Sequence, residues 1–284
     1  MTKKIICLVV CLMLIDSVAV AAIKQQKLLS SDPKMFDHFG WSVSISRDGN
    51  TIAVGAPFAD QGTNADQGAA YIFRRSGSKW IQQQMVTSTD GTTFDRFAWS
   101  LSMSSDGNTM VVGAPYIKIS GKSEQGSVYV FVQYGGKWIQ QQKLTASDGS
   151  AGDRFGSSVS ISGDGNIIVI GAPLANIDNK SDQGSSYLFI RSKELWIEQQ
   201  KMSAFDGSVD DHFGQSVSVN GSGNVVVSSS HDKNIGRNPS QGSVYVLSKG
   251  LVPDLTMKEL SIILTVLTGF VILYYLRKRR KEKN

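Results

Sequence analysis

One segment recurs four times at a fixed spacing. DHFGWSVSISRDGNTIAVGAP begins at Asp37, DRFAWSLSMSSDGNTMVVGAP at Asp95, DRFGSSVSISGDGNIIVIGAP at Asp153 and DHFGQSVSVNGSGNVVVSSSH at Asp211. The offset is 58 residues each time, without an insertion. Other columns keep the register. Gly68, Gly126, Gly184 and Gly242 each open a GSVYVF-like segment, and Trp80, Trp138 and Trp196 each open a WIQQQKL-like segment. A repeat of this length is one supersecondary unit that buries its apolar face only by stacking on its neighbours.

Within a unit the pattern is that of strands. Ser42 to Ser46 alternates apolar and polar residues, the period of a strand with one buried face. Thr51 to Val54 is almost continuously apolar, as in a strand covered on both faces. Asp48-Gly49-Asn50 between them is a hairpin signal. Ala70 to Phe73 and Trp80 to Gln84 supply two further β-rich runs. Four-stranded units in tandem predict an all-β fold, a β-propeller of four four-stranded blades. A β-solenoid is the competing architecture, but its repeats are usually shorter. Ile23 to Leu28 aligns with the fourth strand of a unit, while the last unit ends after its third strand, Ser243 to Leu247. The register therefore predicts that the N-terminal strand closes the ring by completing the last blade, which would remove two sheet edges.

The ends differ from the middle. Residues 1–22 read as a signal peptide, with Lys3 and Lys4 before the apolar run Ile5 to Ile15 and a small-x-small site at Ala19-Val20-Ala21. Residues 260–276 form a second apolar run, ending in Tyr274 and Tyr275 and followed at once by Arg277 to Lys281. That is the pattern of a transmembrane helix with a cytoplasmic basic stop. The predicted layout is a signal peptide at 1–22, a propeller at 23–248, a juxtamembrane linker at 249–259, a transmembrane helix at 260–276 and a basic cytoplasmic tail at 277–284. That layout is the one expected of a single-pass type I membrane protein of a cell surface or envelope. The chain's net charge of +5 resides in these ends: the tail carries +5 and the first 22 residues +1, leaving −1 for the middle. The basic balance is thus no argument for nucleic acid. Both cysteines, Cys7 and Cys11, lie in the N-terminal apolar run, which leaves the mature middle without a disulfide, a thiolate metal site or a thiol nucleophile.

Phe39-Gly40 with Gly55-Ala56-Pro57, Phe97-Ala98 with Gly113-Ala114-Pro115, and Phe155-Gly156 with Gly171-Ala172-Pro173 resemble the FG-GAP repeats of the integrin α-chain propeller. The fourth unit keeps Phe213-Gly214 but carries Ser229-Ser230-His231 in place of the second motif. The resemblance implies an extracellular propeller with a recognition or adhesion role. It implies no transfer of the family's calcium sites. Those use a DxDxDG-like loop, and the hairpins here carry one carboxylate each, at Asp48, Asp106 and Asp164, with none in Ser222-Gly223-Asn224. Calcium takes six or more oxygens. No cofactor and no metal site are expected, and calcium would need a site other than those hairpins. The nearest approach to one is the paired acids Asp32/Asp37, Asp90/Asp95, Asp148/Asp153 and Asp206/Asp211. The competing reading makes the first a turn former and the second a cap.

Strand polarity puts the loops Phe58 to Asp66, Tyr116 to Glu124, Leu174 to Asp182 and Asp232 to Ser240 on one face, opposite the Asp-Gly-Asn hairpins. The hairpin face is expected toward the membrane and the variable loops outward. Phe58, Asp60, Tyr116 and Leu174, with Trp41 and Trp99, which break the repeat where Ser157 and Gln215 replace them, are the expected ligand-binding residues. Asn179 and Asn220 begin sequons. No catalytic set stands out: His38 and His212 share a column with Arg96 and Arg154, which suggests solvated positions, and the chain is expected not to be an enzyme. The expected function is recognition of an extracellular protein or glycan by a membrane-anchored propeller. The alternatives are a structural surface or envelope protein that self-associates, and a hydrolase on a propeller scaffold.

Overall fold

The computed structural model describes residues 25–248 apart from Arg237. The expected signal peptide, linker, transmembrane helix and tail lie outside the described residues. Among those described, no helix is long and apolar enough to cross a membrane.

Among the described residues, all named strands form antiparallel β-sheets in sequential strand order. The first sheet holds β1 (Ser42–Ile45), β2 (Thr51–Ala56), β3 (Ala69–Ser76) and β4 (Lys79–Val86). The second holds β5 (Ser100–Met103), β6 (Thr109–Ala114), β7 (Ser127–Tyr134) and β8 (Lys137–Leu144). The third holds β9 (Ser158–Ile161), β10 (Ile167–Ala172), β11 (Ser185–Ser192) and β12 (Leu195–Met202). The fourth has three strands, β13 (Phe213–Val219), β14 (Val225–Ser230) and β15 (Ser243–Ser248). The runs predicted from periodicity are thus found as strands, and each sheet is one blade.

The hairpins explain the Ser-x-Asp-Gly-Asn signal. Gly49 takes a left-handed φ of 66°, which a residue without Cβ adopts freely. The Ser46 hydroxyl accepts the Thr51 backbone N–H at 3.0 Å. Asp48 Oδ1 accepts the Asn50 N–H and its Oδ2 the Asn50 side-chain amide, at 3.0 and 2.8 Å. In the last blade Asn220 replaces the serine, and its Oδ1 accepts the N–H groups of Asn224 and Val225.

Blades stack through their faces. Ala53, Ala70 and Ile72 of the first blade bury against Phe97, Leu101, Met103 and Val112 of the second, and the pattern repeats at the next two junctions. The innermost strands are tied by Ser42 Oγ donating to Ala98 O, Ser100 to Gly156 O and Ser158 to Gly214 O, each at 2.8 Å. The glycine of each GAP motif is required by this approach. A Cβ on Gly55, Gly113 or Gly171 would lie 2.4, 2.1 or 1.9 Å from the same three carbonyl oxygens. Ser229 stands at this position in the last blade. Along the outer edge, Gln84 and Gln142 each exchange two hydrogen bonds with the backbone of Trp138 and Trp196 in the following blade.

Closure of the ring by the N-terminal strand is not shown among the described residues. Residues 25–30 form no strand, although their register is the expected one. Gln26 bonds the Trp80 backbone as Gln84 bonds Trp138, and Leu28, like Phe39 and Trp80, packs against the core cluster of Val54, Tyr71 and Phe73. The segment fills the fourth-strand slot ahead of the first blade, but it does not complete the last one. Val43 and Ile45 remain 66% and 56% exposed, where their counterparts Leu101 and Met103 are 8% and 7%. On the last blade Val244 and Val246 are 65% and 68% exposed. The same close-packed contacts recur at all three junctions. Four blades joined in this way leave the first and last faces uncovered.

Candidate functional site

Trp41 precedes β1 and Phe58 follows β2, so both stand on the loop face, as do Trp99 and Tyr116 one blade later. The structure brings the four together. Trp41 and Trp99 have ring centroids 4.7 Å apart, Phe58 lies edge-on to Trp41 at 5.7 Å, and Trp99 meets Tyr116 at 5.3 Å. His38 stacks on Trp41 and contacts Phe58. The Arg96 guanidinium lies 4.8 Å from the Phe58 ring centre and 4.3 Å from that of Tyr116. Arg154 also lies over Tyr116, at 4.8 Å.

The cations of this patch are not equivalent. Arg154 is paired with Glu124 at 2.8 Å. Arg96 forms no ion pair among the described residues, and its Nε is buried without a hydrogen-bond partner. His38 and Arg96 hold left-handed φ angles of 53° and 52°, a conformation that costs a residue with a Cβ about 1 kcal/mol or more. A column that alternates histidine and arginine suggests solvated positions, which hides Arg96 in the sequence. The visible signal was that its neighbours in the other columns are aromatic in the first two blades alone.

Not every expected ligand-binding residue joins the patch. Asp60 serves its own loop, where Oδ1 accepts the Asp66 N–H at 3.0 Å and the carbonyl accepts Lys34 Nζ. Leu174 occupies the column of Phe58 and Tyr116 in the third blade, half-buried and without a ring.

The paired acids have structural partners. Asp90 Oδ1 accepts the Tyr129 hydroxyl at 2.7 Å, and Oδ2 pairs with Lys143 at 2.6 Å. Asp148 does the same with Tyr187 and Lys201. Asp32 and Asp206 accept from Tyr71 and Tyr245. Asp37, Asp95, Asp153 and Asp211 each accept a backbone N–H three residues before them. Asp211 also meets the buried Lys233 at 3.0 Å. Burial works against ionised Asp90 and Asp148, but the lysine and tyrosine donors outweigh it and hold both below the usual carboxylate range. Burial raises Asp95 and Asp153. It also raises the Tyr129 hydroxyl, reinforced by the bond to Asp90. A tyrosine column at 58-residue spacing was the overlooked sign of this role. The hairpin aspartates do not fit a calcium cradle either, since both oxygens of Asp48 accept from Ser46 and Asn50 within the turn.

Asn179 is exposed in the loop of the third blade, whereas the exposed Asn220 uses its side chain to hold its hairpin. Of the three histidines, His38 belongs to the patch, and His212 and His231 both bond Asp232 on the last blade.

Comparison with known proteins agrees with this architecture. The FG-GAP repeat model matches residues 23–73, 80–131, 138–189 and 196–247, each match joining a fourth-strand segment to the three strands of the following blade. Mouse integrin alpha-2 is 27% identical over 239 residues, covering 78% of this chain and 19% of that protein. Rat integrin alpha-7 is 32% identical over 132 residues, covering 43% of this chain and 11% of that protein. The chain thus spans about a fifth or less of these relatives' length. With four matched repeats over most of its length, the chain belongs to the FG-GAP repeat family.

Proposed function

We propose that this chain is a membrane-anchored recognition or adhesion protein, which displays its blades outside the cell and binds an extracellular protein or glycan through the loop face. The observation that carries this reading is the cluster of Trp41, Phe58, Trp99 and Tyr116 around Arg96. Large rings at an exposed corner supply flat apolar area at small entropic cost. A guanidinium without a carboxylate partner supplies the complementary charge for an anion. The arrangement suits a ligand with a flat apolar surface beside a carboxylate or sulfate, as in an acidic glycan or an acidic protein segment. The FG-GAP family membership and the integrin alpha relatives support a binding role over an enzymatic one. Residues 260–276 are the proposed anchor, with 277–284 on the cytoplasmic side.

The test presents the full chain to a panel of extracellular-matrix proteins and glycans. Trp41→Ser combined with Trp99→Ser installs the residue that the third blade carries at Ser157. The double variant should therefore fold and lose at least tenfold in affinity. Unchanged binding by a folded double variant overturns the assignment of the face.

A further inference from the structure

The last blade departs from the repeat at two adjacent positions, His231 and Asp232, which meet His212, a histidine shared only with His38 of the first blade. His212 stands where the second and third blades carry Arg96 and Arg154. His231 replaces Pro57, Pro115 and Pro173, and Asp232 replaces Phe58, Tyr116 and Leu174. The other blades fold with proline and a large side chain there, so the architecture does not require the change. Asp232 Oδ2 lies 2.8 Å from His212 Nδ1 and 3.0 Å from His231 Nε2. The two imidazoles stack at 5.5 Å between centroids.

We propose that His212, His231 and Asp232 form a binding site for a divalent transition-metal ion of the zinc type. Ligands about 2.0–2.1 Å from a tetrahedral zinc lie about 3.3 Å from one another. The two separations from Asp232 need only a few tenths of an ångström of opening, and all three ligand atoms lie within 4.8 Å of one another. Two imidazoles and one carboxylate select zinc, cobalt, nickel or copper over calcium and magnesium, which prefer all-oxygen sets. The surroundings favour a cation as well. Asp182 and Asp210 bring carboxylate oxygens within 4.8 Å of a ring nitrogen of His212. Among the described residues Asp182, Asp210 and Asp232 have no lysine or arginine partner, whereas Asp90, Asp148 and Asp211 do. His231 and Asp232 reach solvent, so the ion has a path of entry and open positions for water or an oxygen of a partner.

The experiment is a titration of the full chain with zinc, read by thermal melting and by a competing chromophoric chelator, together with cobalt read by visible absorption. The expected result is one ion per chain, a rise in melting temperature, and a cobalt d–d band that zinc abolishes. His212→Arg with His231→Pro restores residues of the other blades, and Asp232→Leu restores that of the third. The double variant should bind zinc at least a hundredfold more weakly and the single variant at least tenfold more weakly, with melting in the absence of metal still cooperative. No rise in melting temperature with excess zinc overturns the proposal. So does equal affinity in the double variant, which would move the ion elsewhere. Equal protection by calcium would remove the imidazoles from the site.

Discussion

Replacing Gly113 by alanine tests whether the GAP glycine is a packing residue of the blade junction. The new Cβ would lie 2.1 Å from Gly156 O and 2.4 Å from Ser100 Oγ. Restoring ordinary van der Waals distance to the carbonyl requires the second and third blades to separate by roughly an ångström. Separation of that size breaks the Ser100–Gly156 hydrogen bond, worth about 1 kcal/mol. It also loosens the cluster of Val111, Val128 and Val130 against Phe155 and Ile161, and overpacking of this kind costs about 1–3 kcal/mol. Alanine recovers about 0.4–1 kcal/mol by restricting the unfolded chain. The net loss is about 1–3.5 kcal/mol, equivalent in a domain of this size to a fall in melting temperature of about 3–12 °C. Melting of the full chain, followed by tryptophan fluorescence, measures it. Gly221→Ala is the control, because nothing lies within 4 Å of its added Cβ and its φ is ordinary. A Gly113→Ala protein that melts within 1 °C of the parent would refute the junction argument.

Three further outcomes follow from the same contacts. Leu101→Ser should destabilise by about 2–5 kcal/mol, whereas Val43→Ser at the equivalent position of the uncovered first face should stay within about 0.5 kcal/mol; equal losses in urea titrations would mean that a blade covers Val43. Asp90 and Asp148 have folded carboxyls held low by their lysine and tyrosine partners. The stability they contribute is therefore complete above the ordinary carboxylate value and is lost as pH falls through the folded value. Asp95 and Asp153 are raised by burial and act in the opposite sense. Asp90→Asn should therefore flatten the acid limb of a urea-midpoint profile, and an unchanged limb would exclude that ion pair as its source. In a eukaryotic secretory host, Asn179→Gln should remove one glycan in a gel-shift assay, whereas Asn220→Gln should lower stability by breaking the last hairpin; a stable Asn220→Gln protein that loses a glycan would reverse these roles.

The fold was legible because the 58-residue register exposed every strand, and because Asp-Gly-Asn turns and the GAP glycines carry requirements of the backbone itself. Closure was not legible. Whether Ile23 to Leu28 completes the last blade depends on the rotation from blade to blade, and no residue pattern encodes that rotation directly. The candidate site was half legible. Trp41 and Trp99 stand out in the sequence because they break the repeat, and Phe58 and Tyr116 because they open the variable loops. Asp60 lies apart from the rings and bonds its own loop, and a loop carboxylate of that kind looks like any exposed acid in sequence. Arg96 was missed because a column alternating histidine and arginine reads as solvated, whereas the rings flanking it come from two different blades. Tyr129 and its equivalents lie 39 residues beyond their aspartate partners, a separation without meaning until the blades are stacked.

The central claim is that Arg96 within the aromatic patch meets an anionic group of the ligand. It is tested most directly by a double-mutant cycle on the tightest ligand the panel retains. Binding of the parent and of Arg96→Gln would be measured against that ligand and against a form of it whose acidic groups are neutralised. Each change alone should weaken binding by about 10- to 100-fold, the worth of a charge-assisted hydrogen bond. Making both should cost little more than making one. Two independent losses that simply multiply would place the anion elsewhere and contradict the assignment.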